Sequence, residues 1–134
     1  MKKTVLLTLA ILGVSVQASA MTCSQLEKIS EDNKALFNPY QYGDDSGHPT
    51  QYAPYQAKVI GAKGYRAHFH TAPASQCKIK NVFIIPKDVV NVNYSFDYEN
   101  QEWLHVTYWG KNAEDTSGWM KAKDLTSPQR AGSK

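Results

Sequence analysis

The stretch VVNVNYSF, residues 89–96, alternates apolar and polar side chains, and WLHVTY at 103–108 does so again. On an extended chain successive side chains point to opposite faces. The first run therefore turns Val90, Val92 and Tyr94 inward and Asn91 and Asn93 outward; the second turns Leu104, Val106 and Tyr108 inward. Working outward, GYRAHFH at 64–70 places Ala67 and Phe69 inside and Arg66, His68 and His70 outside. CKIK at 77–80 sets Ile79 against Lys78 and Lys80, and GWMKAKDL at 118–125 turns Met120 in and Trp119 out. Short alternating segments joined by polar turns predict a mainly β domain.

The chain begins with Lys2 and Lys3, an apolar run from Val5 to Val16, and the small residues Ala18, Ser19 and Ala20. Those three zones are the parts of a secretory signal peptide cut near Ala20, and the apolar run is too short to span a bilayer. A lipid anchor on Cys23 is the rival reading, but Thr22 and Ala20 are not the residues of a lipobox. The expected location is the periplasm, with no membrane insertion. Removing residues 1–20 leaves 114 residues, one domain's worth, with 13 basic and 12 acidic side chains. So balanced a surface lacks the field that nucleic-acid binding requires.

Cys23 and Cys77 are the two cysteines. In an oxidising compartment they have one intramolecular pairing, worth about 4 kcal/mol if unstrained. Around Cys23, Ser24 and Glu27 have capping-box spacing, and Leu26, Ile29, Leu36 and Phe37 share one side. A helix is expected over 24–36, ending before Asn38-Pro39. Residues 38–57 hold three prolines, two glycines and Tyr40, Tyr42, Tyr52 and Tyr55. This is an aromatic arm, free either to pin itself on the domain or to meet a partner. A flexible tail is expected over 127–134.

The order of pieces across residues 58–126 resembles the bacterial Src-homology-3-like (SH3b) family. The resemblance is carried by Ala72-Pro73, the turn Ile85-Pro86-Lys87-Asp88, the Val-x-Val strand, Trp103-x-x-Val106, and Gly118-Trp119-Met120 followed by Leu125. Lys87 departs from the glycine frequent at that turn. The resemblance implies a small five-stranded barrel that binds cell-wall peptides or proteins and performs no reaction. It does not extend to the helix and the tyrosine arm, residues 21–57.

His68 and His70 share a strand face, and His105 points outward from another strand. They are the candidate ligands of a metal-dependent hydrolase, the weakest reading, since zinc needs three or four ligands in tight geometry. Neither H-E-x-x-H nor G-x-S-x-G occurs, and Asp44-Asp45 and Glu114-Asp115 lie in polar turns. No cofactor is expected. What remains is aromatic surface: Trp103 and Trp119 on outward positions, together with Tyr40, Tyr42, Tyr52 and Tyr55, form the expected partner-binding face. The favoured expectation is a non-catalytic periplasmic inhibitor or immunity factor. Its partner would be a cell-wall-degrading enzyme or toxin. A peptidoglycan-peptide-binding module is the alternative.

Overall fold

The computed structural model describes residues 21–36, 54–112 and 114–131. The signal segment and Tyr40, Tyr42 and Tyr52 lie outside them. The chain opens with helix α1 (Cys23–Asp32), followed by strands β1 (Ala35–Leu36), β2 (Tyr55–Lys58) and β3 (Ala67–His70). A 3-10 turn (Ser75–Cys77) leads to β4 (Lys78–Ile84), β5 (Val89–Tyr98), β6 (Gln101–Trp109) and β7 (Asp115–Lys121). A second 3-10 turn (Ala122–Asp124) precedes β8 (Gln129–Arg130). All pairings are antiparallel.

The fold is mainly β, but it is not a closed five-stranded barrel. Among the described residues, eight strands form one open sheet in the order β4-β3-β7-β6-β5-β2-β8, with β1 added beside β5. The extra strands come from segments expected to be irregular. Ala35 pairs with Ser95 and Leu36 with Tyr94, which stops the helix at Asp32 instead of residue 36. Gln129–Arg130, in the supposed tail, pairs with Tyr55 and Gln56. Tyr55, assigned to the arm, is already in strand β2 and packs against the core.

One face of the sheet is the main core. Ala57, Val59, Ala67, Phe69, Ile84, Val90, Val92, Leu104, Val106, Met120 and Leu125 are all buried there, as alternation predicts. Tyr94 is the exception. The register of β5 on β6 slips between Val92, opposite Val106, and Tyr94, opposite His105. Asn93 is the extra residue of a β-bulge, so Tyr94 falls on the face opposite Val92. Between β5 and β6, Glu99 and Asn100 both have positive φ, 51° and 60°, the two-residue hairpin geometry that follows the twist of the strands.

The second face carries its own layer. Leu26 of α1 is buried against Ala72, Ala74 and Cys77, with Phe96 and Tyr98 alongside. The Cys23–Cys77 disulfide, with Cα atoms 5.7 Å apart, staples the helix there. Such a bond places the chain in an oxidising, extracellular type of compartment. The helix cap is Thr22, not Ser24: its hydroxyl accepts from Gln25 N at 3.2 Å and the Gln25 side chain accepts from Thr22 N at 2.9 Å. Both boxes have the same spacing, and the helix uses the earlier one. Among the described residues no helix is long and apolar enough to cross a membrane.

Candidate functional site

Trp103 and Trp119 do point away from the main core, since each alternates with a core residue, Leu104 and Met120. They are nevertheless buried, 1% and 3% exposed, and cannot anchor a partner. Strand alternation assigns a side chain to a face, while a roof assembled from distant sequence decides whether that face meets water. Here the roof belongs to the layer of α1 and the Ala72–Cys77 segment: Phe96, packed against that layer, meets Trp119 at 6.4 Å, and Glu27 and Glu31 of α1 line one cavity with Trp119.

Beneath it the aromatic side chains form a ladder. Tyr94 stacks on His105 with ring centres 4.5 Å apart, and Trp119 meets both rings edge-on at 5.4 Å. His70 packs edge-on against Trp103 at 4.8 Å. Gly118 permits this packing: a Cβ there would come within 3.0 Å of the His70 carbonyl oxygen, so β7 can approach β3 closely only without one. Next to the ladder lies a cavity of about 240 Å³, lined by His70, Tyr94, His105, Trp119 and the helix carboxylates Glu27 and Glu31.

The polar groups of this layer are largely satisfied internally. His70 Nδ1–H donates to the Trp119 carbonyl at 3.2 Å, which sets the ring's tautomer. Asn93 Nδ2 donates to His105 Nδ1 and to Thr107 Oγ1, both at 3.0 Å. Tyr94 Oη donates to Glu31 Oε2 at 3.0 Å, and Lys34, which also lies over the Tyr94 ring, pairs with Glu31. Burial holds His105 down to about 4 and lowers His70 as well, so both rings are neutral at pH 7. Burial and the Glu31 hydrogen bond raise Tyr94, while Lys34 and then Tyr94 lower Glu31.

His68 does not join this group. It tilts against Phe83, with ring centres 5.6 Å apart. Among the described residues no three His, Cys, Asp or Glu side chains gather in a way that could hold a metal ion. His68, His70 and His105 are therefore not brought together as a ligand set.

The exposed surface that sequence reasoning missed lies at a junction of loops. Ile60, Tyr65, Ile85 and Val89 are 44%, 40%, 51% and 43% exposed, high values for side chains of this size and polarity. They are neighbours through the backbone. Lys87 N donates to the Val59 carbonyl at 3.0 Å, Val59 N to Asp88 at 2.9 Å, and Lys58 sits opposite Val89. Ile60 N donates to the Asp124 carbonyl at 3.0 Å, while the Tyr65 hydroxyl donates to the Asp124 carboxylate. That bond is the chief cause pushing the Tyr65 phenol up to about 12. The backbone of the patch is thus tied by main-chain hydrogen bonds and by one buried acid. Lys63, Arg66 and Lys87 border it, all exposed. The turn Ile85-Pro86-Lys87-Asp88 was legible in the sequence; its exposure was not.

No protein-family model matches this chain, and neither a curated protein nor a solved structure matches it.

Proposed function

We propose that this is an exported, non-catalytic protein that works by covering part of another protein. Most concretely, it is an inhibitor or immunity factor in the periplasm, directed at a cell-wall-degrading enzyme or toxin. The observation that carries this reading is the exposed patch of Ile60, Tyr65, Ile85 and Val89 on a hydrogen-bonded backbone. Apolar and aromatic side chains held in place by their own backbone and bordered by charge are what protein interfaces use as anchors. Pre-organisation matters because every side chain ordered on binding costs affinity, and these loops are already ordered. The disulfide suits a small domain that must persist outside the cytoplasm.

Purified mature protein titrated into a panel of muramidases and cell-wall peptidases tests the reading. It predicts stoichiometric inhibition of one of them, lost in Ile85→Asp. Protection by wild type and Ile85→Asp alike, or inhibition of none, contradicts it.

The SH3b module remains the second reading, favoured by two observations. β7, β6, β5 and β2 lie side by side in the sheet, and after β7 a 3-10 turn leads the chain back to β2 through the Val59–Leu125 bridge and β8. Lys87, at the position where that family often has glycine, has the positive φ of 80° that glycine serves. On this reading the same patch grips a peptidoglycan stem peptide, and the protein sediments with purified sacculi. An inhibitor stays in the supernatant.

A further inference from the structure

We infer that the partner of this patch presents an acidic surface around an apolar centre; the inference rests on the protein-binding reading above. The charge of residues 21–134 is nearly balanced, yet it is segregated. Residues 58–87 contain Lys58, Lys63, Arg66, Lys78, Lys80 and Lys87 and not one Asp or Glu. All six are exposed. Carboxylates gather elsewhere, with Asp97, Glu99 and Glu102 around the β5–β6 turn.

Among the described residues, no basic side chain of this segment forms an ion pair. The salt bridges among the described residues, Lys28–Asp32 and Lys34–Glu31, both belong to α1 and the residues just after it. Arg66 lies over the Phe83 ring at 4.5 Å, a contact that leaves its charge in place. Two carboxylates border the patch, and both are engaged locally: Asp88 accepts from Ile85 N at 3.0 Å, and the buried Asp124 accepts from the Tyr65 hydroxyl.

Lys78 and Lys80 have a sufficient explanation of another kind. They sit on β4, an edge of the sheet, where lysine prevents pairing with a second sheet. The inference therefore stands on Lys63, Arg66 and Lys87. Lys87 is the most informative, because its φ of 80° is one that lysine adopts at a cost and glycine adopts freely. A turn that needed only its shape would carry glycine; this one carries a cation beside two exposed apolar side chains. An interface of this design selects partners by charge as well as by fit. It attracts carboxylate-rich surfaces and repels cationic ones, which places strongly basic cell-wall hydrolases outside the partner class.

The test uses the disulfide-intact mature protein and two synthetic peptides. One alternates Asp or Glu with Leu and Phe; the other has Lys at the acidic positions. Amide chemical shifts are followed at low and high salt, with phosphatidylglycerol vesicles as a third probe. The expected result is that only the acidic peptide shifts residues 60–66 and 85–89. Its affinity should fall with salt, and about ten- to a hundredfold in the triple variant Lys63→Glu/Arg66→Glu/Lys87→Glu. An unchanged melting temperature in that variant keeps folding out of the result.

Equal binding of the basic peptide overturns the inference. So does acidic-peptide binding that maps to Lys78 and Lys80 and survives the triple variant, or binding of vesicles alone. The two levels separate cleanly. If enzyme inhibition survives the triple variant but not Ile85→Asp, the acidic partner falls and the protein-binding reading stands. If it survives both, both fall.

Discussion

Replacing Cys23 and Cys77 together by alanine removes the staple between α1 and the Ala72–Cys77 segment without leaving a free thiol. The two cysteines are 54 residues apart in sequence. Loop-closure entropy for that separation corresponds to about 4 kcal/mol at 25 °C, a large share of the about 5–15 kcal/mol by which small domains are stable. Three further contacts hold the helix: burial of Leu26, the Tyr94–Glu31 hydrogen bond and the pairing of β1 with β5. The measured loss should therefore reach about 3–4 kcal/mol, with the main core still formed. Urea unfolding followed by tryptophan fluorescence is the assay, since Trp103 and Trp119 lie on the face that α1 helps to roof. The variant should unfold at lower urea, and its native emission should shift to the red as these indoles gain water. A loss below about 1 kcal/mol, with unchanged emission, would refute the claim that the disulfide holds the second layer in place.

Acid should loosen the same layer. The folded protein holds His105 near 4, whereas the ring in the unfolded chain protonates near 6.5. The unfolded state thus takes up the proton first, and stability falls as pH drops from about 6.5 to about 4. The full shift corresponds to about 3 kcal/mol, and solvent screening of the half-buried ring reduces this to about 1–2 kcal/mol. Melting temperatures at pH 7.5 and 4.5 should show the drop, and His105→Gln should flatten it. Trp103→Ala should cost about 3–5 kcal/mol in chemical denaturation, whereas Trp109→Ala, 58% exposed in wild type, should stay within about 0.5 kcal/mol. Asn100→Gly, at a φ of 60° in the β5–β6 turn, should raise stability by about 0.5–1 kcal/mol.

How legible all this was depended on range. The core residues of β5, β6 and β7 were readable because period two is a local property, and the disulfide because two cysteines in an oxidising compartment have one partner each. Tyr94 was misplaced because the bulge at Asn93 has no local marker; it is set by the pairing of β5 with β6. The helix was expected four residues too long because Leu36, suitable for its apolar side, is taken into the sheet by β5 instead. Trp103 and Trp119 were assigned to the correct face and the wrong environment. The helix that helps to cover that face lies more than seventy residues earlier in the chain, and nothing within either strand announces it. The patch was missed for the opposite reason. Ile60, Ile85 and Val89 look like core residues in sequence, and only the convergence of three loops leaves them at the surface.

Site-specific photo-crosslinking in living cells tests the central claim most directly, with a benzophenone amino acid placed at position 85 and, as control, at position 102 in the acidic region. The protein-docking account predicts one discrete adduct from position 85, containing a cell-wall-active enzyme or toxin, suppressed by Lys63→Glu/Arg66→Glu and absent from position 102. An adduct from position 102 with none from position 85 would contradict it.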